Sequence, residues 1–285
     1  MSVQVFYYDA QDDLLLDCIR PLAVSLRGDG LADAVFFIRY YEEGPHIRFR
    51  ARVAGDAAAD EVTARIEAAL GEFLTQRPSH GRLTHNVKGP CHADNSFEWR
   101  VYEPEIDRYG GPDGIVIAEE HFELSSDVAF DLLARTRGDR QRRLTLALRA
   151  MLAGGAAFGL DGDGLARFMK VYCDSALRNT AMSDGGVASA LAQFERGYGH
   201  LAPELRAIAN DLRGGAASDP LGRWGAGMAA SARRLRALAG GERMDRFLSS
   251  FLHMLNNRLG LPYSTEAYLA FLTAKLLAEM EPANA

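Results

Sequence analysis

The sequence predicts an α+β fold: an N-terminal antiparallel-rich sheet with packed helices, followed by a mostly helical C-terminal half. Three observations predict it. Strand-like runs, alternating or continuously apolar and bounded by turn residues, occur only within the first 123 residues. Beyond them, apolar residues recur at helical spacing in one segment after another, joined by Gly-rich turns. The stretch Ala34–Val53 then sets two strand types side by side, one apolar on both faces and one strictly alternating. A single domain over 1–285 is expected, with a sheet part at 1–111 and a helical part at 112–285.

In chain order, Val3–Tyr8 is a short apolar strand. Asp13–Leu26 is a helix, with Pro21 inside it as a kink. Ala34–Tyr41 and His46–Val53 are strands joined by the turn Glu42-Glu43-Gly44-Pro45. Asp56–Leu74 is a helix with Val62, Ile66, Leu70 and Phe73 on one face. Gly81–Val87 and Phe97–Glu103 are further strand candidates, and Pro104 suits the first position of a helical turn. After an apolar and acidic segment, Ile115–Glu123, Ser125-Ser126-Asp127 is expected to cap a helix reaching Thr136. Helices follow at Arg140–Leu152, Leu165–Leu177, Ala188–Tyr198, Ala202–Leu212, Gly222–Leu238, Met244–Leu259 and Ser264–Met280. Gly214-Gly215 and Gly240-Gly241 are read as turns.

Composition narrows the function classes. A net charge of −6 gives no general nucleic-acid affinity. Three scattered cysteines, Cys18, Cys91 and Cys173, match neither a disulfide framework nor a zinc spacing, so a reduced, cytoplasmic setting is expected. No signal peptide is read at the N-terminus, and no apolar run reaches the ~18 residues of a membrane span. Nucleotide loops, HExxH, paired CxxC and a GxSxG elbow are all missing, so no metal or cofactor is expected. Gly159–Gly164 lacks the closing Glu of a calcium loop and reads as a helix connection.

Three constellations carry chemistry. Alternation puts His46, Arg48, Arg50 and Arg52 on one strand face, a pattern that suits a solvated face as well as an anion site. Arg108 stands just before the sharp Tyr109-Gly110-Gly111 turn, where it either enters a cleft or pairs with Glu105 or Asp107 on the surface. On the late helix, His253 shares a face with Ser249, Ser250, Asn256 and Asn257. That setting serves a general acid or base and also a buried structural histidine.

Together these segments are familiar. Phe36-Phe37-Ile38-Arg39-Tyr40 precedes Gly44-Pro45-His46-Ile47-Arg48-Phe49-Arg50. The turn Tyr102-x-Pro104-Glu105-x-x-Arg108-Tyr109-Gly110-Gly111 follows, then Glu119-x-x-Phe122-x-x-Ser125-Ser126, and finally Leu252-His253-Met254-x-x-Asn257-Arg258. This order resembles the C-terminal, glutamate-eliminating domain of lantibiotic dehydratases, which also occurs alone in thiopeptide-type bacteriocin biosynthesis. The resemblance runs from residue 3 to about residue 280.

The resemblance implies an elimination-type domain acting on a precursor peptide whose Ser or Thr has been glutamylated, leaving dehydroalanine or dehydrobutyrine. It implies catalytic roles for His253, Arg108, Arg48 and Arg50, with His46, Tyr109 and Asn257 as substrate-binding residues. It also implies a separate, tRNA-dependent glutamylating dehydratase subunit as partner, because the family's large glutamylating part has no counterpart here; no direct nucleic-acid or membrane partner is expected. Pro104 departs from the arginine many members carry there, which bears on anion contacts. One geometric expectation follows: Arg48 or Arg50 shares a cleft with Arg108 and His253. Two other readings stand beside elimination. One is a formal [4+2] cycloaddition joining two dehydroalanines, as in stand-alone relatives. The other is a non-catalytic subunit that binds the precursor peptide.

Overall fold

The structure is a computed structural model that describes residues 1–82, 90–180, 182–211, 219–241 and 243–280. It is α+β, with one antiparallel four-stranded sheet near the N-terminus and a helical C-terminal half. The chain forms two compact units. One comprises Met1–Arg108 and Phe122–Arg137, the other Tyr109–His121 and Gly138–Ala285.

In the first unit, β1 (Ser2–Phe6), β2 (Ala32–Tyr40), β3 (His46–Val53) and β4 (Ser96–Trp99) lie in the order β2-β3-β1-β4. Register sets the faces. Phe36, Ile38 and Tyr40 of β2 stand opposite Arg50, Arg48 and His46, and Ser2, Gln4 and Phe6 of β1 stand opposite the same three from the other side. Directly opposed residues share a face, so aromatic and polar groups of both neighbours flank the cationic row. Ile47, Phe49 and Ala51 of β3 are buried on the other face.

Helices α1 (Asp12–Leu14), α2 (Arg20–Gly28) and α3 (Ala59–Gln76) belong to this unit. A π turn at Leu15–Ile19 joins α1 to α2 and delivers Pro21 to the first turn of α2, where its missing N–H is harmless. The expected kink therefore takes the form of a π bulge. The strand expected over Phe97–Glu103 ends at Trp99, because pairing with β1 runs out at Val3. After Pro104, turn bonds such as Arg108 N to Glu105 O (3.1 Å) replace a regular helix. The strand expected over Gly81–Val87 and the Gly214-Gly215 turn fall on residues outside those described.

The largest correction concerns α4 (Pro112–Arg135), a single helix through the point where a cap was expected. Ser126 lies inside it. Its hydroxyl donates back to Phe122 O (2.8 Å) and accepts from Phe37 N (3.2 Å), an outward N–H of the edge strand β2. The serine thus covers a sheet edge rather than starting a helix. Phe130 against Phe37 (4.8 Å between centroids) and Phe122 against Phe36 (5.8 Å) complete that cover. The division between the two units falls within this helix.

The second unit adds α5 (Arg140–Ala157), α6 (Gly162–Arg178), α7 (Asp184–Asp211), α8 (Pro220–Ala239), α9 (Met244–Arg258) and α10 (Tyr263–Met280). Helix α10 packs on α6, α7 and α5, while α5 also packs on α8 and α9. Two helices were expected where α7 runs unbroken through Pro203. Tyr198, Ala202 and Leu205, all buried on one stripe, hold both sides of the proline to the same core. No helix among the described residues is long and apolar enough to cross a membrane.

Candidate functional site

The cationic row of β3 is held in two ways. His46 is fully buried, and burial depresses its pKa to about 4, so the ring is neutral near pH 7. Its Nδ1 lies 2.8 Å from Gly44 O, an acceptor, so Nδ1 carries the proton. Nε2 then accepts from Arg48 Nε at 3.1 Å. Arg48 also lies over the Tyr40 ring, 3.5 Å from its centroid. Arg50 lies over Tyr102 at 4.3 Å and Phe36 at 5.7 Å. Aromatic faces attract a guanidinium without neutralising it. Arg52 is exposed at the far end of the strand.

Arg108, in the same unit, pairs with Glu105 at 3.1 Å and is 42% exposed. This is the surface ion pair that the sequence left open as one alternative. In the second unit, Gly110 and Gly111 both have positive φ (88° and 100°), as the sharp turn requires. Tyr109 is buried, with its hydroxyl 2.8 Å from Ser250 Oγ and its ring stacked on Phe251. That hydroxyl is engaged in the helical core. Asn257 is half-buried, and its carbonyl takes part in ending α9.

His253 has partners that the sequence reading missed. Its Nδ1 lies 3.0 and 3.2 Å from the two oxygens of Glu266, a carboxyl group only 1% exposed. Tyr172 donates to the same carboxylate at 2.6 Å. Burial and that carboxylate raise the Tyr172 pKa well above its ordinary value, so the phenol stays protonated as a donor. An ionised carboxylate only accepts, so Nδ1 carries the imidazole proton and Nε2 is left basic. Tyr263 stacks on the imidazole (4.7 Å, 2° between planes), with its hydroxyl 3.3 Å from Nε2.

Local chain geometry builds this group. At the end of α9, Gly260 (φ +72°) donates to Asn257 O and Leu261 donates to Asn256 O. This pair of bonds is a Schellman closure, which needs the left-handed conformation that glycine adopts without strain. Tyr263 and Glu266 lie within the first turn of the next helix, and the short connection brings both to His253. The sequence signal was available as a Gly just past one helix, followed after two residues by Tyr-x-x-Glu.

One trio among the described residues has metal-like spacing: Glu43, His92 and Glu98, with ligand atoms within 4.8 Å of one another. Arg100 meets its charge, 2.5 Å from Glu98 and 3.7 Å from Glu43.

Several solved structures share this fold. The pyridine synthase TbtD from thiomuracin biosynthesis aligns with a TM-score of 0.78 at 21% identity, covering 98% of this chain and 97% of that one. TsrL aligns with a TM-score of 0.65 at 20% identity, covering 98% and 94%. The tRNA-dependent lantibiotic dehydratase MibB from Microbispora sp. 107891 aligns with a TM-score of 0.71 at 21% identity; 98% of this chain matches 28% of that much longer one. A comparison with curated proteins finds no match. Residues 1–277 match the family described as lantibiotic biosynthesis dehydratase C-term, and the chain belongs to that family.

Proposed function

We propose that the protein is a peptide-modifying lyase that eliminates glutamate from glutamylated Ser or Thr of a precursor peptide. A separate tRNA-dependent subunit would supply the glutamylated substrate. The observation that carries this reading is the pair of His253 and buried Glu266, which orients the imidazole with Nε2 basic. Nε2 takes the α-proton, the Cα–H electron pair becomes the Cα=Cβ double bond, and the Cβ–O bond breaks. Its electrons leave on the carboxylate of the departing glutamate. Glu266 stabilises the imidazolium so formed, and solvent then takes its proton.

The arginines meet the charge at both ends. Arg48 and Arg50, held over Tyr40 and Tyr102, bind glutamyl carboxylates. Arg108 exchanges Glu105 for the enolate-like charge on the substrate carbonyl. His46 acts through Arg48 as a positioning residue, because both its ring nitrogens are engaged. Glutamylated peptide offered to wild type and to His253→Ala or Arg108→Ala tests the reading by mass spectrometry. Rapid glutamate loss in wild type and slow loss in the variants is expected; equal rates overturn it.

A formal [4+2] cycloaddition is the second reading, favoured by the match over nearly the full length of both chains to a pyridine synthase. Cyclisation of a fully dehydrated peptide, with no glutamate released from a glutamylated one, would establish it instead.

A further inference from the structure

Helices α6 and α9 of the helical unit border a cavity of about 500 Å³. This lies within the ~300–1,000 Å³ typical of ligand sites. Phe168, Val171 and Tyr172 give it an apolar wall, and Arg167, Arg178 and Arg246 surround that wall. Val171 is 64% exposed, so the wall is open to a ligand.

Among the described residues, the three arginines have no ion-pair partner. Asp163 stands four residues before Arg167 and Asp174 four before Arg178, the spacing that usually yields helical ion pairs. Neither pair forms, and none of the three guanidinium groups has a carboxylate partner among the described residues. Instead, all three line the cavity. Among the described lining residues the one acid is Asp245, so cations outnumber anions there in a chain of net charge −6. A concentrated positive field beside apolar surface selects an anion that also carries apolar groups.

The cavity also connects to the candidate site. Tyr172, in its wall, donates to Glu266, and Ser249, also lining it, lies one helical turn before His253.

We propose that this cavity binds an acidic segment of the peptide substrate. Carboxylate side chains meet Arg167, Arg178 and Arg246, and an apolar side chain rests on Phe168 and Val171. That the occupant is a peptide rests on the function proposed above; the preference for carboxylates rests on the cavity. The apolar wall and the acidic chain favour a peptide over a nucleic-acid backbone, which would call for a longer basic track.

Fluorescence anisotropy with the full chain tests this. The probes are a short fluorescein-labelled peptide bearing Glu and Leu, and its twin with every Glu replaced by Gln. The Glu peptide is expected to bind about tenfold tighter at low salt, as charge-assisted contacts would give. The preference should shrink as salt is raised. The triple variant Arg167→Gln/Arg178→Gln/Arg246→Gln should bring the Glu peptide to the level of its twin and leave the twin's affinity unchanged. If that variant loses its fold by circular dichroism, the single reversal Arg178→Glu carries the same expectation. Equal binding of both peptides by wild type overturns the proposal, as does a preference that survives in the variants. Tighter, arginine-dependent binding of single-stranded RNA than of the Glu peptide also overturns it. His253→Ala separates the two claims: it should keep the peptide preference while losing turnover, so retained turnover would count against the proposed function alone.

Discussion

The two units hold their candidate functional groups by opposite means. In the sheet unit, Arg48 is held by buried His46 and the face of Tyr40, and Arg50 lies over the face of Tyr102. In the helical unit, His253 is directed by an acidic group, Glu266, sealed from solvent and itself bonded to Tyr172. A neutral ring or an aromatic face holds a guanidinium without cancelling its charge. A buried acidic partner fixes which imidazole nitrogen carries the proton and which way the ring faces. Under the proposed reaction, the contrast suits the sheet unit to holding the glutamyl carboxylates and the helical unit to moving the proton.

The sharpest way to break this contrast is to remove the acidic partner. Glu266→Gln is nearly isosteric but no longer stabilises an imidazolium. Under the proposed reaction, kcat for glutamate loss should fall by roughly 10²–10⁴-fold, the usual contribution of a general base. His253→Ala should do the same, and the double variant should be little worse than either, since the two act as a unit. Additive losses in that cycle would separate Glu266 from the histidine's role.

In the sheet unit the expected effect is on binding. Arg48→Lys keeps the charge but loses the planar fork, the stacking on Tyr40 and the bond to His46. KM for glutamylated peptide should rise about tenfold or more, with a smaller change in kcat. His46→Ala should raise KM in the same way through Arg48, and in an Arg48→Ala background it should add nothing. A fall in kcat equal to that of Glu266→Gln, with KM unchanged, would erase the division of labour.

The same contrast explains what could be read in advance. Alternation over His46–Val53 reports a strand face directly, so the cationic row and its apolar reverse side were legible from residues two apart. The helical half was legible by period, but Glu266 reads locally as an ordinary charged residue in a helix's first turn. Its burial and its bond to His253 come from a chain reversal at Gly260 and from packing of α10 on α6, which local spacing does not encode. Ser126 was misread for a related reason. Serine before a helical pattern signals a cap, yet here the helix had already begun at Pro112, and the hydroxyl serves the edge of β2. Pro203 likewise signals a break that the buried stripe on both sides of it overrides.

Among the described residues, His46 in one unit and His121 in the other are buried and neutral, and acid should reveal both. Burial lowers His46 to about 4 and His121 to about 3, from an ordinary 6.5. Above pH ~6.5 neither is protonated in either state, so neither affects stability there. As pH falls from about 6.5, the unfolded chain takes up protons that the folded chain refuses, and stability declines until the folded pKa is reached. The slope is at most about 1.4 kcal/mol per pH unit for each histidine. His121 stacks on Phe251 at 4.0 Å, so His121→Phe retains the packing while removing one titrating group. Denaturant melts between pH 7 and pH 4 should show a shallower decline in this variant. An unchanged slope would mean that His121 gains its proton without unfolding.

The smallest expected effect tests how closely Glu266 depends on its second donor. Tyr172→Phe removes the 2.6 Å bond to Glu266 together with the hydroxyl's hydrogen bond to Asn256, and keeps the ring in the core. A buried carboxylate short of one donor costs about 1–3 kcal/mol in stability, because nothing else replaces the lost solvation. Glu266 retains His253 as a partner, so the imidazole is held less rigidly but still held. Glutamate elimination should therefore slow by only about three- to tenfold, in kcat rather than KM, as expected of a positioning group. The Tyr172 ring also walls the arginine-lined cavity, and its hydroxyl is already committed to Glu266. Affinity for an acidic peptide should then be unchanged in Tyr172→Phe. A loss of peptide affinity with kcat intact would place the phenol in the binding of substrate instead of behind the histidine.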